Sequence, residues 1–128
     1  MNNIEEISSL KQVLNNLRNQ NKILLAYLYG SYAARLQHKR SDIDLAVYLG
    51  TRDEKEAIEI IDTILMSTDA TIEILRLDDE EESPFIIQKA LKGIPLVEPD
   101  MEAFYKVSHR VLHEAESIRF KREHFVKA

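Results

Sequence analysis

Branched apolar residues occupy every second position in one short segment of the chain, residues 42–49. The apolar positions there are Ile43, Leu45, Val47 and Leu49. Successive side chains of a β-strand point to opposite faces, so these four would share one face and enter a core. Residues 22–29 are instead almost continuously apolar and rich in branched and aromatic side chains, which is typical of a fully buried strand. The two patterns together predict two strands of a buried sheet.

In three other segments the apolar residues recur at intervals of three and four residues, which predicts amphipathic helices. These segments are residues 3–19, about 51–66 and about 101–125. In the second helix the pattern places Ile58, Ile61, Ile64 and Leu65 inward. In the last helix the expected stripe is Met101, Phe104, Tyr105, Val111 or Leu112, Ala115 and Ile118. A shorter helix is expected between Pro84 and Gly93, because proline suits a first helical turn and glycine a helix end.

A third strand over residues 70–77 and a short edge strand over residues 94–97 complete the series. The order of elements predicts an α/β fold: a small mixed sheet with helices packed on one face and a long C-terminal helix. With 128 residues, the chain is expected to form a single domain, residues 1–128, with one core.

Composition and charge narrow the possible functions. The chain is 45% hydrophobic and 30% charged, with a net charge of −5. This acidic balance argues against broad nucleic-acid binding, which usually leaves a basic surface. The absence of cysteine excludes disulfides and cysteine zinc sites. No basic region followed by an apolar stretch begins the chain, and no apolar run could span a bilayer. We therefore expect a soluble, cytoplasmic protein without a membrane association.

Two aspartates begin the alternating strand. Asp42 and Asp44 would lie on the face opposite to the apolar residues, one two-residue repeat apart. Two carboxylates this close repel one another unless a cation lies between them. Hard oxygen ligands of this kind suit Mg²⁺, which takes one or two carboxylates and completes its octahedron with water and substrate phosphates.

Gly30 and Ser31 follow the buried strand directly. Glycine allows the backbone to approach a ligand closely, and successive backbone N–H groups in a turn can bind an anion. The hydroxyl of Ser31 could donate a further hydrogen bond to a phosphate. A glycine–serine turn and an Asp-x-Asp strand, on two neighbouring apolar strands, indicate a nucleotide and metal site.

Gly30-Ser31, followed after ten residues by Asp42-Ile43-Asp44, resembles the signature of the DNA polymerase β-like nucleotidyltransferase superfamily. The short chain is similar to the minimal nucleotidyltransferases, or MNT-domain proteins. The family often continues Gly-Ser-x-Ala-Arg-Gly, whereas here Ala34 occupies the usual arginine position and Arg35 the usual glycine position. Arg35 is therefore the candidate for a further phosphate contact.

The resemblance implies a polymerase β-like fold and a third metal-binding carboxylate on a neighbouring strand. Glu73 is the only acid within the predicted third strand, so it takes this role, although many relatives have aspartate there. The implied cofactors are two Mg²⁺ ions held by Asp42, Asp44 and Glu73, with ATP as substrate.

The resemblance also implies an antitoxin. MNT proteins are often the antitoxin half of HEPT/MNT pairs, so the expected reaction is transfer of AMP from ATP to a tyrosine of a helical HEPT-type toxin, within a hetero-oligomer. Two alternatives stay open at this stage. The chain could be a non-catalytic antitoxin that neutralises its partner by contact, or it could transfer a nucleotide to a small molecule.

Overall fold

The computed structural model describes the backbone of residues 3–30 and 43–126, and side chains within residues 7–30 and 43–123. The elements in chain order are α1 (Asn3–Asn19), β1 (Ile23–Tyr29), β2 (Ile43–Leu49), α2 (Glu54–Leu65), β3 (Ile72–Arg76), α3 (Pro84–Leu91), β4 (Ile94–Pro95) and α4 (Met101–Val126). This is the predicted order, and the mixed α/β fold with a long C-terminal helix is confirmed.

The four strands form one mixed sheet in the order β3-β2-β1-β4. β1 pairs with β2 and with β4 in antiparallel fashion, whereas β2 pairs with β3 in parallel. A parallel pair requires a crossover connection, and α2 supplies it between β2 and β3. The two strands with the strongest sequence patterns, β1 and β2, occupy the centre of the sheet.

The register of the sheet aligns three residues across the neighbouring strands β1, β2 and β3. Tyr29 at the end of β1 lies opposite Asp44 on β2, and Asp44 in turn pairs with Glu73 on β3. The parallel pairing matters here because it brings the first residues of β2 and β3 to the same end of the sheet. Tyr29, Asp44 and Glu73 therefore lie together at that end of the sheet, which makes it the place to look for a functional site.

Helices cover both faces of the sheet, whereas the sequence pattern predicted helices on one face. On the first face, the alternate apolar residues of β2 pack with Leu10 and Leu14 of α1 and with Ile60 and Ile64 of α2. On the second face, α3 and α4 pack over Leu25, Tyr27, Ala46, Leu75 and Leu77. The second layer forms because α3 and α4 also pack against each other and extend the apolar surface beyond the sheet.

The buried face of α2 includes Ile64, as predicted, but otherwise differs from the predicted face. Ala57, Ile60 and Ile64 are buried in the first-face core, whereas Ile58 is 59% exposed and Leu65 is 39% exposed. Ile61 lies between these two groups and is partly buried. Several isoleucines in succession allow more than one helical face, and contact with the sheet selects the one that includes the small Ala57.

The buried stripe of α4 likewise consists of smaller residues than expected. Ala103, Val107, Val111 and Ala115 are buried, whereas Met101, Tyr105, Leu112 and Ile118 are exposed. Small side chains allow α4 to lie close to α3 and to the sheet. Val111 and Ala115 confirm part of the predicted stripe, and Phe104 is half-buried against the second-face core. The other large residues of that stripe face outward.

No helix within the described parts of the chain is long and apolar enough to cross a membrane.

Candidate active site

The candidate site is built around Asp44, the second residue of β2. Its neighbours in the strand, Ile43 and Leu45, are fully buried in the first-face core, so the alternation of the strand directs Asp44 to the second face. Asp44 is half-buried there, at the end of the sheet where β1 finishes. The apolar residues of β2 thus fix both the position and the direction of this carboxylate.

Gly30 lies directly against Asp44. Its φ angle is +76°, a left-handed conformation that residues with a side chain rarely adopt. A Cβ atom at this position would collide with Oδ2 of Asp44 and would lie 3.2 Å from its Cγ. Glycine is therefore required at this position both by its left-handed backbone conformation and by the close approach of the backbone to the carboxylate.

Glu73 supplies a second carboxylate from β3. It pairs in register with Asp44 across the parallel strands, and it is exposed. Its neighbours Ile72 and Ile74 pack in the first-face core, so Glu73 shares the second face with Asp44. The sequence-based placement of Glu73 beside Asp44 agrees with this register.

Tyr29 forms the wall of the site on the other side of Asp44. Burial raises the pKa of its phenol above the ordinary value, and the negative charges of Asp44, Glu73 and Glu82 raise the pKa further. The phenol therefore stays neutral, because a phenolate there would be partly desolvated and surrounded by carboxylates. Asp44, Glu73 and Glu82 thus all contribute negative charge near the phenol of Tyr29.

The sequence pattern did not identify Tyr29 or Glu82 as part of this region. Residues 78–82 are a run of five acids, which is usually a solvated loop, yet Glu82 is half-buried and acts on Tyr29. The sequence offers one clue to the position of Glu82: the acidic run stands immediately before Ser83, the N-cap of α3. The hydroxyl of Ser83 accepts a hydrogen bond from the backbone N–H of Phe85. That helix start fixes the direction of the preceding loop.

The donor set fits a hard divalent cation. Asp44 and Glu73 offer carboxylate oxygens from adjacent positions of two strands, which is the ligand chemistry that Mg²⁺ prefers. Within residues 3–30 and 43–126, no group of three His, Cys, Asp or Glu residues could hold a metal ion. Asp42, the third predicted ligand, lies outside the described residues, and so do Ser31 and Arg35.

A sequence model of the family described as "Polymerase beta, Nucleotidyltransferase" matches residues 11–102. The match extends from α1 to the start of α4 and includes Gly30, Asp44 and Glu73. The chain belongs to this nucleotidyltransferase family. The fold and the enzyme class implied by the glycine–serine turn and the paired aspartates are thereby confirmed. A search of curated proteins found no match.

Solved structures of toxin–antitoxin complexes share the fold. A chain of a toxin–antitoxin complex with AMP-PNP has 21% sequence identity and a TM-score of 0.66, covering 91% of this chain and 95% of that chain. A chain of the MntA–HepT complex has 18% identity and a TM-score of 0.61, covering 94% and 95%. A third comes from a tri-AMPylated Shewanella oneidensis HEPN toxin in complex with MNT antitoxin, with 18% identity, a TM-score of 0.61 and coverage of 94% and 96%.

Proposed function

We propose that this nucleotidyltransferase is an antitoxin that transfers AMP from ATP to a tyrosine hydroxyl of a helical HEPT-type toxin. The observation that carries the proposal is the convergence of Gly30, Asp44 and Glu73 at one end of the sheet. The similar structures support the choice of acceptor, since one contains AMP-PNP and another contains an AMPylated toxin beside its MNT antitoxin.

Each candidate residue has a role in this proposal. The backbone at Gly30 and Ser31 would bind the β- and γ-phosphates of ATP, and Arg35 would add a further phosphate contact. Asp42, Asp44 and Glu73 would hold two Mg²⁺ ions. When bound, these ions supply charge neutralisation at the triphosphate and a lower pKa for the attacking hydroxyl.

The reaction is a displacement at the α-phosphorus of ATP. The acceptor oxygen forms a bond to this phosphorus, the bond to the bridging oxygen of pyrophosphate breaks, and pyrophosphate leaves with the electron pair. The acceptor's proton passes to a carboxylate oxygen of Glu73, which is exposed and therefore accessible to an incoming hydroxyl. Most of the rate enhancement would come from positioning and charge stabilisation, as in other phosphoryl-transfer sites.

The acceptor would come from a second protein chain. Residues 1–128 are proposed to form one minimal domain, in which the described elements build a single sheet and its covering helices. The AMPylated toxin beside its MNT antitoxin in a similar structure supports a protein as the acceptor. The end of α4 is the proposed docking surface, because Arg119, Lys121 and Arg122 are exposed there beside Ile118 and the 61% exposed Phe120. Exposed apolar and aromatic residues among arginines are typical of protein interfaces.

Since ATP is the proposed substrate, we also propose a cytoplasmic location for the protein and its partner, and a hetero-oligomer as its working form.

Radioactive ATP provides the test. The protein is incubated with Mg²⁺, the toxin partner and ATP labelled at either the α- or the γ-phosphate. The proposal predicts that label from the α-position, but not from the γ-position, appears on the toxin. Label from the γ-position would indicate phosphorylation instead, and a stable complex without any label would favour an antitoxin that acts by contact alone. Label on an added small-molecule alcohol but not on the toxin would favour the small-molecule alternative.

A further inference from the structure

A cavity of about 670 Å³ lies at the other end of the sheet from Asp44 and Glu73. It is lined by the start of β1, the last residues of β2, the end of β3 and the first half of α4. Tyr48 lines this cavity and is four residues beyond Asp44 along β2. At the rise of a β-strand, the backbone positions of Tyr48 and Asp44 are therefore roughly 13 Å apart. The volume lies within the range of small-molecule sites, about 300–1,000 Å³.

Four cationic side chains line this cavity. Arg52 and Lys106 are exposed, while Arg110 is half-buried and donates from Nη2 to the backbone oxygen of Leu77 at 3.1 Å. The Nε of Arg110 is buried and has no hydrogen-bond partner among the described residues. A buried guanidinium donor without a partner loses its hydration without compensation, so the surroundings of Arg110 favour an added acceptor.

The fourth cation is already neutralised. Arg76 donates from Nη2 to Asp78 at 2.7 Å and lies 3.7 Å from Glu54. Its hydrogen bond with Asp78 is the largest of the effects that raise the pKa of Arg76. Asp78 is therefore engaged, which leaves Glu80 as the one other acid of the cavity lining. Three cations against one carboxylate give an excess of about two positive charges, which matches a phosphate monoester dianion.

The remaining walls are apolar and aromatic. Leu24, Tyr48 and Leu49 line the same cavity, and the first two are half-buried. A bare phosphate would leave most of this volume and the whole of this wall unused. A ligand that carries a flat ring beside its phosphate would cover Tyr48 and at the same time place its anion near Arg52, Lys106 and Arg110.

We propose that this cavity binds an organic phosphate monoester with a ring, such as a nucleoside monophosphate, at a site separate from the candidate active site. The chemistry follows from the charge excess and the apolar wall. The site does not depend on the proposed reaction, because none of its residues belongs to the nucleotide and metal site around Gly30, Asp44 and Glu73.

The test uses AMP and inorganic phosphate as probes, with the full chain in the presence of a chelator so that metal-dependent nucleotide binding is suppressed. Binding is measured by calorimetry for the native chain and for the double variant Arg52→Ala, Lys106→Ala. The matched control is Lys55→Ala, Lys89→Ala, which removes the same charge from exposed positions outside the cavity. Circular dichroism verifies that both variants are folded.

The proposal predicts saturable AMP binding that the Arg52 and Lys106 variant weakens at least about tenfold, or ~1.4 kcal/mol, while the control leaves it unchanged. Tyr48→Ala should weaken AMP binding and leave phosphate binding unaltered. Backbone amide signals should shift most near residues 48–52 and 106–110.

Four results would overturn the proposal. The first is no saturable AMP binding to the native chain. The second is an equal affinity in the Arg52 and Lys106 variant. The third is a set of amide shifts centred on Gly30 and Asp44. The fourth is phosphate binding as tight as that of AMP, which would remove the role of the ring.

Discussion

One face of the sheet is apolar along the whole of β2, whereas the other changes from a carboxylate to apolar packing within the same strand. On the first face, Ile43, Leu45 and Val47 are fully buried under α1 and α2. On the second face, Asp44 is half-buried near the sheet end, and Ala46, two residues later, is fully buried in the core formed with α3 and α4. The two faces share one backbone and therefore one register.

This difference shows how a small domain can hold a charged site rigidly. The uniform apolar face fixes the strands, and the second face carries the half-buried Asp44 and the exposed Glu73 at one end of the sheet. Within β2, the residues of the first face thus contribute to stability, and Asp44 on the second face contributes to the candidate site. Substitutions at neighbouring positions should separate the two properties, and the following predictions run from the largest expected effect to the smallest.

Leu45→Ala should produce the largest effect, and it should act on stability. Leu45 is fully buried in the first-face core, so its truncation leaves a cavity and should lower the free energy of unfolding by about 2–5 kcal/mol. Urea unfolding followed by circular dichroism measures this change. A loss well below 1 kcal/mol would mean that the first face is not the stabilising one.

Asp44→Asn should act on activity alone. Replacing the carboxylate by an amide removes a metal-binding charge while keeping the shape, so the transfer rate should fall at least about a hundredfold. The free energy of unfolding should change by less than about 1 kcal/mol, as for substitutions away from the core. Asp62→Asn, at an exposed position of α2, is the matched control and should retain its rate. Full activity of Asp44→Asn would show that the metal site is elsewhere.

Gly30→Ala should affect both properties. The left-handed backbone costs residues with a Cβ about 1–2 kcal/mol, and the added atom would press on the carboxylate of Asp44. We expect a lower unfolding midpoint together with a loss of transfer activity, measured on the same preparation. An active and equally stable variant would contradict the close contact between Gly30 and Asp44.

Glu73→Gln should have a moderate effect on rate, about tenfold, because the side chain is exposed and a water molecule can take over part of its role as proton acceptor. Steady-state kinetics with the toxin partner measure it, and Glu59→Gln on the exposed surface of α2 is the control. An unchanged turnover for Glu73→Gln would assign the third ligand and the proton acceptor to another residue.

The smallest effect concerns the titration of Tyr29. Burial and then the charges of Asp44, Glu73 and Glu82 raise its pKa above 10.0, so Asp44→Asn should move the pKa back towards that value. Tyr27 is an internal control, since burial alone raises its pKa. Alkaline absorbance titration with single Tyr→Phe variants separates the two. A pKa of Tyr29 that does not respond would contradict the proximity of the carboxylate.

The sign of the pH dependence of stability follows from the same shift. A raised phenol pKa means that the folded state retains its proton longer than the unfolded state. The stabilising contribution is complete below pH 10.0, and it is lost as the pH rises through the pKa of the folded state. Tyr29→Phe should therefore reduce the alkaline loss of stability.

The strands and the enzyme class could be predicted from sequence because their signals are local. Alternation defined β2, a continuous apolar run defined β1, and fixed spacing linked Gly30 to Asp44. The inward faces of α2 and α4 could be predicted only in part, at Ile64, Val111 and Ala115. Both helices offer several apolar faces, and only contact with the protein core selects one. Ala57 and Ala103 are buried while the larger Ile58 and Tyr105 are exposed.

The surroundings of the site could be predicted less well from the sequence, because they too depend on contacts between separate segments. Tyr29, Glu82 and Asp44 come from three distant segments, and the sheet register together with the start of α3 brings them together. The basic cavity is a stronger example, since Arg52 and Lys106 are 54 positions apart in the sequence and no local motif connects them. Such constellations become visible once the topology is known.

The central claim is tested most directly by intact mass spectrometry of the toxin partner after incubation with this protein, ATP and Mg²⁺. We predict a mass increase of one or more AMP units on the toxin, absent when Asp44→Asn replaces the native chain. An unmodified toxin in a complex that still forms, or an equal mass increase with Asp44→Asn, would contradict the account.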